Sequence, residues 1–140
     1  MLTALIVEDD PWLLCMMEVA LEKIQLRSVS SQSAEAALAI MLMRAGEIGI
    51  VISDIRLGGA MDGIDFAREV RTRWPNLPFV ITSGNPGTRL IHQPPDLVFL
   101  PKPWEISDLI TAAETALQAA ESQRNDRFLT SPDGNSTRQS

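Results

Sequence analysis

The sequence is poor in several features, and each shortage narrows the class of protein. It has a single cysteine, Cys15, which rules out an internal disulfide framework, fits a reducing compartment and is expected to be a small core residue. No apolar run is long enough to cross a membrane, and the N-terminus enters a strand pattern without a basic region or a signal peptide. We therefore expect a cytoplasmic protein with no membrane partner.

Positive charge is scarce as well. Lys and Arg number 12 against 18 Asp and Glu, and the net charge of −6 argues against a nucleic-acid partner. Such a balance would suit a basic partner or a metal ion. The length of 140 residues predicts one domain with a sizeable core, over residues 1–121. The chain turns polar from Ser122, so residues 122–140 are predicted to be a disordered tail.

One apolar stretch ends at a carboxylate. Residues 50–53 (Ile-Val-Ile-Ser) lead to Asp54, and the pair Gly58-Gly59 soon ends any regular element. A short apolar run closed by turn residues is typical of a strand buried on both faces of a parallel sheet. An Asp at the carboxyl end of such a strand stands at the crevice where open α/β sheets hold their ligands.

Strand and helix patterns alternate along the rest of the chain. Strands are predicted at residues 2–7, 27–30, 50–54, 77–82 and 97–100. Asp10 and Ser33 can each cap a helix, and further helices are predicted over 63–74 and from 106. The segment 85–96 holds three prolines, which leave room only for a short helix around 88–92. This alternation predicts βαβ units and a parallel sheet, and right-handed crossovers would bring all strand C-termini to one edge.

That edge would collect five polar side chains, those of Glu8, Asp9, Asp54, Ser83 and Lys102. Three carboxylates at one edge would raise each other's pKa values, and a hard cation such as Mg²⁺ relieves the repulsion. Lys102 can pair with Asp54 or with a phosphoryl oxygen, and the Ser83 hydroxyl can donate to another. An ionised carboxylate can attack phosphorus, and phosphoryl transfer asks mainly for positioning and charge neutralisation.

With these residues at these positions, the sequence resembles the receiver domain of bacterial two-component response regulators. The resemblance covers about residues 2–121 and rests on five pieces: Glu8-Asp9, Asp54, Met61-Asp62-Gly63, Ser83-Gly84 and Lys102-Pro103. It implies an α/β fold, namely a flavodoxin-like, doubly wound, five-stranded parallel sheet of order 2-1-3-4-5. It also implies that Asp54 accepts a phosphoryl group from a histidine kinase or a phosphotransfer protein.

The resemblance further implies a role for each site residue. Mg²⁺ would be bound by Asp9, by Asp54 and by the backbone carbonyl of Arg56, with Glu8 acting through water. An unknown downstream protein would read the phosphorylated state.

The phosphoryl group itself would be bound by Ser83 and Lys102, and the Lys102–Pro103 bond would be a cis peptide. Phe99 lies at the position of the family's aromatic switch, although an aromatic residue there is equally well explained as core.

The sequence departs from the family pattern at three places. The loop Leu57-Gly58-Gly59-Ala60-Met61 lacks the usual proline and looks one residue longer, and the segment 85–96 predicts a shortened fourth helix. No pattern of a DNA-binding or catalytic domain follows, so we expect a single-domain response regulator with no enzymatic activity beyond slow hydrolysis of its own phosphoryl group.

Two other functions fit part of the pattern. The first is a Mg²⁺-dependent phosphohydrolase with an Asp nucleophile. The motif of such enzymes requires a second Asp two residues after the first, and Arg56 occupies that position. The second is an interaction module that works without phosphorylation, against which the complete set of acidic and Lys positions argues.

Overall fold

The chain folds around a five-stranded parallel sheet, as seen in a computed structural model that describes residues 2–84 and 97–129. The strands are β1 (Thr3–Val7), β2 (Arg27–Ser31), β3 (Ile48–Asp54), β4 (Phe79–Ser83) and β5 (Val98–Pro101). The α-helices of the described residues are α1 (Pro11–Lys23), α2 (Ala34–Arg44), α3 (Gly63–Arg73) and α4 (Ile106–Leu129). The strand order is β2-β1-β3-β4-β5, so the predicted flavodoxin-like sheet is confirmed.

The middle position of β3 follows from its apolar residues. Every residue of β3 except Gly49 is buried, as a strand covered by helices on both faces requires. By contrast, β2 is an edge strand with mostly exposed residues. All neighbouring strands are parallel, so their carboxyl ends lie at one edge of the sheet.

Side-chain caps fix where the first helices begin. The Asp10 carboxylate accepts a hydrogen bond from the Trp12 backbone N–H at 2.9 Å, and Pro11 occupies the first turn of α1, where no N–H is needed. The Ser33 hydroxyl accepts a hydrogen bond from the Ala36 backbone N–H at 3.1 Å and caps α2. Both caps were predicted from the sequence and are confirmed.

Two apolar cores lie on opposite faces of the sheet. The first joins the sheet to α1 and α4 and includes Met17, Leu21, Leu109 and Ala113. The second joins it to α2 and α3 and includes Ala37, Met41, Phe66 and Val70. This double covering buries the strands and leaves their carboxyl ends as the polar edge.

Three sequence expectations concern Cys15, the C-terminal tail and the fourth helix. Cys15 is exposed on α1, so its placement in the core was wrong. The last helix continues to Leu129, so residues 122–129 are helical where a disordered tail was predicted. The shortened fourth helix and the tail beyond residue 129 fall outside the described residues. Within the described ranges, no helix combines the length and the apolar character needed to cross a bilayer.

Candidate functional site

The carboxyl ends of β1, β3, β4 and β5 bring the predicted site residues to one edge. Val7 pairs with Ser53 and Ser83 pairs with Pro101, so Glu8, Asp54 and Lys102 each stand at or just beyond the last ladder position. The Lys102 N–H donates to the Ser83 carbonyl at 2.9 Å and continues the ladder by one residue. The convergence therefore comes from strand register.

Asp54 and Lys102 form a close ion pair at the centre of this edge. The Lys102 Nζ lies 3.0 Å from Asp54 Oδ2, while Asp54 Oδ1 accepts a 3.3 Å hydrogen bond from the Arg56 backbone N–H. The Asp54 side chain is 6% exposed and that of Lys102 is 24% exposed. A nearly buried carboxylate thus has a counter-ion that still reaches solvent.

Glu8 is also buried, but its carboxylate has fewer stabilising polar contacts than that of Asp54. Its Oε2 accepts a 3.1 Å hydrogen bond from the Asp10 N–H, while its Oε1 has no hydrogen-bond partner among the described residues and lies 4.0 Å from Lys102 Nζ. Burial raises the pKa of Glu8 to about 7; the hydrogen bond from Asp10 opposes this rise, and repulsion from Asp54 adds to it. A buried oxygen without a donor suits a cation or an ordered water.

Three carboxylates form a cluster that could hold a metal ion. Oxygen atoms of Glu8, Asp9 and Asp54 all lie within 4.8 Å of one another. Asp9 is exposed whereas the other two are buried, so one side of the cluster is open to solvent. Oxygen ligands with room for water are what Mg²⁺ prefers.

The remaining predicted site residues have different surroundings. Ser83 is buried at the end of β4, beside the Lys102 backbone. Arg56 is exposed, and its amide contacts Asp54. Phe99 is half-buried on β5 and packs against the second core. The Lys102–Pro103 bond is cis, as the resemblance implied. The functional roles of these residues stay predictions.

Glycine is required where the chain returns from the site to α3. The Gly63 N–H donates to the Ile55 carbonyl at 2.8 Å, and a Cβ at Gly63 would overlap the Asp54 carbonyl oxygen. Gly63, the last residue of the Met61-Asp62-Gly63 motif, therefore lies against the backbone of Asp54. Asp62 caps α3 and forms a reciprocal capping box with Asp65.

Sequence reasoning missed one residue of the site's surroundings, Glu35. Its Oε2 accepts a 2.9 Å hydrogen bond from the Met61 N–H, across 26 residues of sequence. No local signal could have indicated this contact, because Glu35 reads as an ordinary acidic residue in the first turn of α2.

Comparison with known proteins agrees with this geometry. The family model of the response regulator receiver domain matches residues 4–114. The chain is 26% identical over 127 residues to the DNA-binding transcriptional regulator NtrC of Salmonella typhimurium, and this match spans 89% of the chain and 26% of NtrC. It is 31% identical over 119 residues to the sensor kinase CckA of Brucella abortus, spanning 83% of the chain and 12% of CckA.

Solved structures give the same picture. A response regulator receiver protein from Sinorhizobium medicae superposes with a TM-score of 0.79 and 31% identity, covering 85% of this chain and 96% of that one. NtrX from Brucella abortus superposes with a TM-score of 0.81 and 27% identity, covering 98% of this chain and 31% of NtrX. The chain belongs to the receiver domain family of two-component response regulators. It spans about a quarter or less of the curated relatives named above.

Proposed function

We propose that this receiver domain accepts a phosphoryl group on Asp54 from a histidine kinase or a phosphotransfer protein, in a Mg²⁺-dependent reaction. The observation that carries the proposal is the pair of Asp54 and Lys102, 3.0 Å apart, beside the carboxylates of Glu8 and Asp9. A buried nucleophilic carboxylate, a mobile cation and further oxygen ligands at one sheet edge are what phosphoryl transfer requires.

The cluster of carboxylates fits Mg²⁺. Glu8 Oε1, which has no hydrogen-bond partner within residues 2–84 and 97–129, and the carboxylate of the exposed Asp9 are hard oxygen donors. Asp9, Asp54 and the Arg56 carbonyl would be direct ligands, and Glu8 would act through water. When bound, the ion would neutralise the charge that carboxylates and phosphoryl oxygens share.

The chain's own residues would carry the transfer. A carboxylate oxygen of Asp54 forms the new P–O bond as the P–N bond to the donor histidine breaks, and the electron pair of that bond stays on the imidazole nitrogen. Lys102 can turn from Asp54 to a phosphoryl oxygen, because its side chain is long, flexible and partly exposed. The Ser83 hydroxyl would donate to another phosphoryl oxygen.

The signal would pass to a downstream protein through a surface that differs between the two phosphorylation states. Phe99, half-buried at the end of the sheet, is the proposed switch residue. Slow hydrolysis of the aspartyl-phosphate would reset the domain, without turnover of other substrates. A single-domain regulator and a cytoplasmic location both stay predictions.

A small acyl-phosphate donor with Mg²⁺ tests the proposal directly. Intact mass should show one added phosphoryl group that alkali removes, and Asp54→Asn should abolish the labelling. Asp65→Asn is a suitable control, because the Asn amide oxygen can still accept the hydrogen bond from the Asp62 N–H and Asp65 is not one of the three carboxylates of the cluster. Equal labelling of Asp54→Asn would overturn the assignment, and turnover of simple phosphomonoesters would favour the phosphohydrolase alternative.

A further inference from the structure

The loop that follows Asp54 is tied to the start of α2. This loop, residues 57–61, is the segment that departs from the family pattern by its length and by its lack of proline. Leu57 and Met61 pack against the second core, but residues 58–60 between them are exposed. The core therefore does not determine the course of the middle of the loop.

Two contacts with α2 supply that constraint. Gly58 forms an isolated parallel bridge with Ser33, the residue that caps α2. Two residues further along the helix, Glu35 Oε2 accepts the 2.9 Å hydrogen bond from the Met61 N–H. The loop is thus held at both ends by the first turn of α2.

Gly59 lets the loop pass close to Glu35. Its φ of 105° lies in a region that L side chains rarely adopt, and a Cβ there would stand 2.8 Å from Glu35 Oε1. Gly59 is therefore explained by the approach of the loop to the Glu35 carboxylate, whereas a Cβ at Gly58 would meet open space.

We propose that Glu35 is a positioning residue for the metal and phosphoryl site, acting through the backbone of residues 56–61. The inference rests on the proposed function. The Arg56 carbonyl is the one predicted ligand that belongs to the backbone, so its position depends on the path of the chain and not on a rotamer. Outer contacts that orient a ligand commonly affect metal affinity.

The hydrogen-bond acceptor, and not the charge, is the feature of Glu35 that the inference requires. Glu35→Gln keeps an acceptor oxygen at the same place and removes the charge, whereas Glu35→Ala removes both. Gly59→Ala should disturb the same contact from the loop side, because its methyl group would clash with Glu35 and its φ would be strained. Glu114→Ala is the matched control, because Glu114 is exposed on α4, which packs on the opposite face of the sheet.

The experiment is calorimetric titration of the full chain with Mg²⁺, with each variant first checked by thermal melting. We expect Glu35→Ala to weaken Mg²⁺ binding about 10-fold. Gly59→Ala should weaken it in the same direction. Glu35→Gln and Glu114→Ala should stay within about twofold of the parent, since neither removes the acceptor. In metal-free protein, the amide NMR signals of Met61 and Arg56 should shift in Glu35→Ala and not in Glu35→Gln.

The outcomes separate the two proposals. If the parent binds Mg²⁺ and Glu35→Ala binds it equally well, the positioning role is wrong and the proposed function stands. If Glu35→Gln is as weak as Glu35→Ala, the effect is one of charge and the positioning role is again wrong. A parent chain that binds no Mg²⁺ overturns both, even where the Met61 amide shift shows that the loop contact exists.

Discussion

The ends of β1 and β3 lie side by side, but the buried carboxylates there, Glu8 and Asp54, differ in the polar contacts that stabilise their charge. Asp54, at the end of β3, has both carboxylate oxygens engaged, one by Lys102 and one by the Arg56 N–H. Glu8, just after β1, has one oxygen bonded to the Asp10 N–H. Within the part of the chain that the structure describes, its other oxygen has no hydrogen-bond partner and lies 4.0 Å from Lys102 Nζ. The site thus provides a counter-ion for the proposed nucleophile and leaves the β1 side short of positive charge, which is where a cation would bind most favourably.

Among the variants that test this difference, removing the Lys102 counter-ion of Asp54 should have the largest effect. Lys102→Met leaves Asp54 buried without its partner, so we expect the free energy of unfolding to fall by about 2 kcal/mol, less than for a fully buried pair because Lys102 is partly exposed. Urea unfolding of metal-free protein measures this. Lys23→Met, at an exposed position in the last turn of α1, is the control. Equal stability of the two variants would mean that the pair contributes nothing.

Asp9, the carboxylate of the cluster that is exposed to solvent, should contribute most to the affinity for Mg²⁺. Asp9→Asn should weaken Mg²⁺ binding by about 10-fold or more, because a charged direct ligand is lost. Calorimetric titration measures this. Asp10→Asn is a close control, since Asn caps a helix as well as Asp does and α1 should keep its start. If both variants lose affinity equally, only the total charge of the turn matters and Asp9 is not a ligand.

Glu8 should make the stability of the metal-free domain depend on pH. Burial is the main cause that raises its pKa from 4.5 to about 7. Unfolded Glu8 releases its proton near 4.5 whereas folded Glu8 keeps it until about pH 7, so its stabilising contribution is complete below pH 4.5 and disappears as pH rises from 4.5 to about 7. Glu8→Gln should flatten this part of the stability profile.

Urea unfolding in the presence of a chelator, at about pH 5 and about pH 8, measures the difference between the parent and Glu8→Gln. Glu18→Gln, at an exposed position on α1, should follow the parent. An unchanged slope in Glu8→Gln would show that Glu8 ionises normally in the fold. Because Mg²⁺ needs ionised ligands, its affinity should also fall as the pH drops below about 7.

The smallest expected effect concerns Trp12, the second residue of α1, which follows the acidic turn after β1. The residue is 72% exposed, so Trp12→Phe should change the free energy of unfolding by less than about 0.5 kcal/mol. Mg²⁺ should change the tryptophan fluorescence of the parent, and Trp12→Phe should remove that change. A full response in Trp12→Phe would assign the signal to Trp74 or Trp104 instead.

Much of the fold was predictable because its signals are local. The Asp10 and Ser33 caps were predicted from residue type and position, and the hydrogen bonds they accept are made within three residues. The parallel order followed from the alternation of strands and helices together with the receiver resemblance. The gathering of Glu8, Asp54 and Lys102 followed from the same rule, since parallel strands end at one edge.

Tertiary structure decided how neighbouring residues differ. Glu8 and Asp9 are adjacent carboxylates, yet one is buried with a raised pKa and the other is exposed, because burial depends on which way each side chain points from the end of β1. Cys15 was expected in the core but faces solvent, since its position on α1 lies away from the face packed against the sheet. The contact between Glu35 and Met61 joins residues 26 apart, and only the packing of α2 beside the loop after β3 brings them together. The sequence alone determined which chemical groups reach the carboxyl edge of the sheet, through strand order and periodicity. Burial and long-range contacts depend on how all the helices and strands pack together, so only the tertiary structure decided them.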